Sequence, residues 1–329
     1  MNLALRLALF VAALAAPPAL AQDAVTLQLK WYPQAQFAGY YAAADLGYYA
    51  DEGLDVTILR GGPEIDPLAV LEAGDADVIL EWLPTALLAR AEGLPLTNVA
   101  QMFTRSGFGI ACLDSAGVTE PSDLRGKRVG IWPGGNAFPM LVWMAHLGIP
   151  TEGGPDGVTL VPQGEAVAGL RDGAADCVSS MTYNEYFQLI EAGIPRDQLV
   201  VFRLDEQGIA LLEDGLFVLE ANLSDPAFVD RMARFVRATM RGWDHARDNP
   251  AEALAIVTGH VEAAGPTEPL AFGRMHAVNA LVAGGNGRLD PAAFERTVDL
   301  LLGGDWMPVI TARPDGGWSH VITDAAALQ

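Results

Sequence analysis

Val70-Leu71-Glu72-Ala73-Gly74-Asp75-Ala76-Asp77 has an echo later in the same chain, Gly169-Leu170-Arg171-Asp172-Gly173-Ala174-Ala175-Asp176. Each stretch closes a helical pattern on a glycine and opens a strand on an aspartate. A second pair of matching positions lies upstream, where Trp31 follows one strand pattern and Trp132 follows its counterpart. The offsets agree within two residues: Trp31 to Trp132 is 101, Asp77 to Asp176 is 99. A separation that long implies two lobes built alike rather than a short-period solenoid.

Working outward, the first lobe reads as strand 25–29, helix 33–46 stopped by Gly47, strand 54–59, helix 66–73 and strand 77–80. The second reads as strand 128–131, helix 137–147 stopped by Gly148, strand 158–161, helix 165–171 and strand 176–179. This alternation predicts an α/β fold, each lobe a mainly parallel sheet flanked by helices. Phe37, Tyr40, Tyr41 and Ala44 share one helix face, which core packing explains. From Asp225 onward the pattern is helical, with Phe228, Met232, Phe235, Val236, Met240 and Trp243 at helical spacing. The expected organisation is a first lobe over 22–104, a second over 105–224, and a helical part over 225–329 that completes the first.

The chain of 329 residues is 51% hydrophobic and 19% charged, which excludes a disordered protein and provides for a large core. Its formal charge of -21 speaks against nucleic acid as a partner. Met1 to Ala21 carries Arg6, the apolar run 7–16 and Ala19-Leu20-Ala21, the signature of a signal peptide with an A-x-A cleavage site. With Gln22 rather than Cys at the new terminus, a soluble protein of a Gram-negative periplasm is expected. Cys112 and Cys177 are too few for a disulfide framework. Buried free thiols and a single bond both remain open.

In open α/β sheets the ligand lies beyond the carboxyl ends of the strands, so the residues just after each strand matter most. Those segments are 31–36, Glu81-Trp82, 132–136 and 181–185, and they hold three of the seven tryptophans. Trp31, Trp82 and Trp132 would offer flat apolar faces to a planar ligand. Gly134, Gly135 and Asn136 precede a helix and could present N–H donors, although Asn136 is equally suited to capping that helix. Glu81, between Leu80 and Trp82, could accept from a ligand amine or form a salt bridge with Arg105. Tyr183, Asn184 and Glu185 follow the sixth strand, where Asn184 could instead cap a helix over 185–191. Gln36, with Gln34, could orient a ligand edge, yet first-turn residues are commonly solvated. No serine-hydrolase, zinc-protease, P-loop or dinucleotide motif is present, and the five histidines are scattered, so no catalytic or metal-ligating set and no cofactor is expected.

Residues 29–43, Leu-Lys-Trp-Tyr-Pro-Gln-Ala-Gln-Phe-Ala-Gly-Tyr-Tyr-Ala-Ala, followed by Gly47-Tyr48-Tyr49 and Glu52-Gly53-Leu54-Asp55-Val56, resemble periplasmic substrate-binding proteins of ABC importers. Segments 122–130 and 181–185 are further points of similarity. Within that group the chain looks most like the branch handling thiamine-pyrimidine precursors and riboflavin, with alkanesulfonate and nitrate binders as cousins. The resemblance implies a two-lobed, type II-like periplasmic-binding-protein fold with the ligand buried between lobes. It also implies a monomer that delivers its ligand to a permease driven by an ATPase and meets the membrane only through that permease. Fungal pyrimidine-forming enzymes on the same fold carry a cysteine-rich run and a histidine near the first motif. Neither is present here, which removes the main support for an enzyme. A sulfonate or taurine-type anion is the alternative ligand. The first motif has no arginine to favour it, but Arg105 keeps the option open.

Overall fold

A computed structural model describes residues 22–264, 272–303 and 308–328; the expected signal segment, 1–21, lies outside them. Among the described residues, ten strands form two five-stranded sheets. In the first, β1 (Asp23–Gln28) pairs in parallel with β2 (Leu54–Leu59) and β3 (Val78–Glu81). Beyond β3 the sheet continues toward β4 (Leu96–Gln101). The chain then crosses over and builds the second sheet from β5 (Phe108–Leu113), β6 (Arg128–Ile131), β7 (Thr159–Pro162), β8 (Cys177–Met181) and β9 (Leu199–Arg203). It crosses back as β10 (Gly215–Leu219), which runs antiparallel between β3 and β4.

The orders β2-β1-β3-β10-β4 and β7-β6-β8-β5-β9 superimpose element for element. In each sheet the antiparallel member is the strand that arrives from the other lobe, β10 in the first and β5 in the second. The sequence expectation ran the second lobe to residue 224, but Gly215–Leu219 is hydrogen-bonded into the first sheet. Two apolar sheet faces cannot be inferred to join across a crossover from local periodicity, which is why β10 was not foreseen.

The sequence echo has a structural cause. Asp77 accepts from the backbone N–H of Thr26 at 2.8 Å, and Asp176 accepts from that of Arg128 at 2.8 Å. Each aspartate thus clips the start of the third strand of its lobe to the first. The glycines before them, Gly74 at φ 78° and Gly173 at φ 67°, end the preceding helices in the left-handed region that favours glycine.

Helices cover both sheets. In the first lobe they are α1 (Ala38–Asp45), α2 (Tyr48–Asp51), α3 (Pro67–Glu72) and α4 (Leu83–Ala91); in the second, α5 (Phe138–Leu147), α6 (Ala166–Arg171) and α7 (Glu185–Glu191). The remainder comprises α8 (Pro226–Asp248), α9 (Pro250–Ala264), α10 (Phe272–Val282), α11 (Pro291–Leu302) and α12 (Val321–Ala325). Asp225 caps α8 through the N–H of Ala227, with Pro226 at the first turn. The predicted stripe of α8, from Phe228 to Trp243, is buried and lies on α1. There the backbones nearly touch: a Cβ on Gly242 would meet Gly39 O at 2.0 Å. Cys112 and Cys177 face each other across β5 and β8 and form a disulfide, which resolves the two alternatives left by the sequence.

Candidate functional site

Beyond the ends of β1, β3, β6 and β8 lies a cleft of about 950 Å³, with a recess of about 30 Å³ at its floor. Trp31, Gln36, Trp82, Trp132, Asn136, Tyr183 and Glu185 line the recess, and Glu81, Gly135 and Asn184 line the wider cleft. Ten of the eleven residues expected from sequence therefore meet in one place. The exception is Arg105. It sits half-exposed in the crossover after β4 and donates to Asp205 of the returning crossover at 2.8 Å, lining neither space.

The three tryptophans are arranged differently from parallel plates. Trp31 of the first lobe and Trp132 of the second lie 6.5 Å apart across the cleft, tilted by 60°. Phe108 joins Trp132 to Trp82 through two edge-to-face contacts, at 6.1 and 6.2 Å. The two Phe108 contacts set ring edge against ring face, the arrangement that aromatic quadrupoles favour, whereas Trp31 and Trp132 meet at a tilt.

Glu81 is buried, and its partner is Lys30 rather than Arg105. The same carboxylate accepts from Trp82 N–H at 2.7 Å, and the ammonium stands 5.1 Å over the Trp82 ring. Lys30 was not singled out from the sequence, although a cation between Leu29 and Trp31 at a strand end was the available signal. Gln34 and Gln36 are buried rather than solvated. Gln34 has an extended backbone, the turn Ala35–Phe37 is a 3-10 helix, and α1 begins only at Ala38, later than the expected Pro33. This late start turns Gln36 inward, where its amide donates to both oxygens of Asp214 at 2.9 and 2.7 Å.

Asp214 and its neighbour Glu213 form the part of the site that sequence reasoning missed. Both are buried, at the point where the returning crossover enters β10. Asp214 also accepts from the Trp82 indole at 3.0 Å and adopts φ 43°, an uncommon conformation for a residue with a side chain. Glu213 accepts from Ser106 Oγ, and from the N–H groups of Gly107 and Phe108 at 2.9 and 3.2 Å, which stitches one crossover to the other. Burial pushes the Glu213 carboxyl up to about 8 and that of Asp214 up to about 7; the hydrogen bonds to both oppose this. The signal was a pair of acids between Leu211-Leu212 and Leu216-Phe217-Val218, in an otherwise apolar run.

In the second lobe, Gly134–Ala137 forms a 3-10 turn whose cap position is Pro133, and Asn136 caps neither this turn nor α5. Asn184 occupies the cap position of α7, but its amide donates to Glu185 at 2.8 Å and caps nothing. Glu185 is buried, also accepts from Met181 N–H at 2.8 Å, and is shifted upward by desolvation. Tyr183 is buried against Phe103, and burial raises its hydroxyl well above the ordinary range.

Two mixed sheets joined by two crossovers, with polar and aromatic groups converging at the strand ends between them, define the periplasmic binding protein fold. A Candida albicans protein described as exhibiting the generic form of that fold superimposes with a TM-score of 0.61 at 13% identity, over 93% of this chain and 95% of its own. Residues 34–253 match the NMT1/THI5-like family model, and the chain belongs to that family. Among curated relatives, the formylaminopyrimidine-binding protein of Halalkalibacterium halodurans is 28% identical, covering 72% of this chain and 70% of the relative. The riboflavin-binding protein RibY of Chloroflexus aurantiacus is 31% identical, over 73% and 67%. The family also includes enzymes: a Saccharomyces cerevisiae protein named as a 4-amino-5-hydroxymethyl-2-methylpyrimidine phosphate synthase is 24% identical, over 70% and 69%.

Proposed function

We propose that this protein is the solute-binding component of an ABC importer, secreted to the periplasm by the segment Met1–Ala21. It captures a small planar amino-heterocycle of the thiamine-pyrimidine type between its lobes and delivers it to a permease. The observation that carries this reading is the pairing of Trp31 with Trp132 across a cleft also lined by the buried Lys30, Glu81 and Gln36, the last held from behind by Asp214. One ring from each lobe gives a flat ligand contacts that exist only in the closed state, and differential affinity of that kind drives closure. No bond is made or broken.

A larger ligand of the flavin type is a second reading, favoured by the size of the outer cleft, which shares Trp31 and Trp132 with the recess. Thermal unfolding of the purified protein against aminopyrimidines, riboflavin and sulfonates separates these. A ligand at a hundred times its Kd adds about 2.7 kcal/mol of stability. A shift with aminopyrimidine supports the first reading, a shift with riboflavin alone the second, and a shift with sulfonates alone overturns both. Mass spectrometry of the recovered ligand, unchanged in the binder and altered in an enzyme, tests the absence of turnover.

A further inference from the structure

Gln34 donates its amide to Gln36 Oε1 at 2.6 Å, and Gln36 donates its own amide to Asp214. The direction of this chain is set at its buried end. Asp214 Oδ1 also takes the Trp82 indole N–H, a group that can only donate, and an ionised carboxylate can only accept. In that ionised form, which prevails above about pH 7, Gln36 must turn its NH₂ toward Asp214 and its carbonyl outward. Gln34 must then spend its NH₂ on that carbonyl, which leaves its own Oε1 as the group at the open end. Gln34 lines both the recess and the outer cleft, and among the described residues no donor reaches Oε1.

We infer that Asp214 acts as a positioning residue which, through Gln36, fixes Gln34 Oε1 as a hydrogen-bond acceptor for the ligand, so that the site selects rings bearing an N–H over isosteres that lack one. This rests on the reading of the site as a heterocycle binder and adds its selectivity. A ligand offering an ether oxygen or methyl at that position would leave a buried acceptor unpaired, which is the strongest form of discrimination open to a small pocket. The charged and titratable groups facing Asp214 are Lys30 and Glu81 at the strand ends, Tyr40 on α1, Tyr183 after β8, and the adjacent Glu213. Lys30 is the cation among them, and it favours the ionised, accepting form.

The test is calorimetric titration in mildly alkaline buffer with two probes, 4-amino-5-hydroxymethyl-2-methylpyrimidine and its 4-methoxy counterpart. The unaltered protein is expected to prefer the amino probe by about tenfold or more. In Asp214→Asn the amide can donate to Gln36 Oε1 and reverse the chain, so the preference should fall below about threefold. Gln34→Ala should lose it equally while leaving the buried carboxylate untouched, and it decides the matter if Asp214→Asn does not fold. Retention of the tenfold ratio in Gln34→Ala overturns the relay. Equal affinity of the unaltered protein for the two probes also overturns it, while leaving the heterocycle reading intact. Binding of neither probe removes that reading and the relay together.

Discussion

In the first lobe, the groups beyond β1 and β3 are held by one another before any ligand arrives: Lys30 by Glu81, Trp82 by Glu81 and Asp214, Gln34 by Gln36. In the second lobe, the equivalent loop beyond β6 is a half-exposed turn in which Asn136 caps no helix and Gly135 stands close against Thr85 of α4. Equivalent strands thus carry unlike chemistry. Pre-formed polar groups discriminate well because they do not reorganise, and a loop that approaches through its backbone closes over many shapes. Under the proposed function the first lobe would be the half that reads the ligand, and the loop beyond β6 in the second the part that clamps it.

The largest expected effect concerns the buried acids at the root of the first lobe. Glu213 and Asp214 titrate higher in the folded protein than in the unfolded chain, so the folded state holds more protons between roughly pH 4 and 8. Their contribution therefore favours folding at the acidic end of that window and is lost as pH rises through about 7 to 8. Between about pH 5 and pH 9 the loss should be on the order of 5 kcal/mol. Denaturant unfolding at both values should show it, and Glu213→Gln should flatten the difference. A wild type equally stable at both would mean that the acids are solvated and the first lobe is no more pre-formed than the second.

Next comes a matched pair of deletions. Lys30→Ala leaves Glu81 buried without its cation and should cost about 3–5 kcal/mol. Arg128→Ala breaks a pair in the second lobe in which Arg128 is 44% exposed, and should cost no more than about 1 kcal/mol. Similar shifts in midpoint would erase the contrast between the lobes. The disulfide compensates on the other side. Joining residues 65 apart, Cys112–Cys177 should contribute about 2–4 kcal/mol, lost on reduction and confined to the second lobe.

The parts of the site legible in the sequence are those carried by local pattern. Trp31 and Trp132 follow strands, and Asp77 and Asp176 begin them, so spacing alone placed them in equivalent positions. Asp214 escaped because its partner Gln36 is 178 residues away, joined through a crossover that no periodicity encodes. Arg105 was placed in the cleft for the same reason in reverse: its charge was visible, but its contact with Asp205, 100 residues on, was not. The helical start at Pro33 was drawn too early because proline is favoured at a first helical position, whereas here Pro33 precedes both the 3-10 segment Ala35–Phe37 and its cap Gln34, and that difference decides whether Gln34 and Gln36 face water or the recess.

The smallest effect on stability sharpens the comparison most. A Cβ on Gly135 would meet Thr85 Oγ1 at 2.0 Å, and Gly135 does not need glycine's conformational freedom, so Gly135→Ala strains only the approach of the two lobes. The free protein should unfold within about 0.5 kcal/mol of wild type, as surface changes do, because the lobes can part slightly to make room. Ligand affinity should nevertheless fall by about tenfold, since closure must now be achieved against the clash. Thr85→Ala removes the hydroxyl and should restore part of that loss in the double variant, while doing little by itself. If affinity is unchanged in Gly135→Ala, the second lobe does not clamp at this point, and the functional contrast between the halves of the cleft would have to be sought at α7 instead.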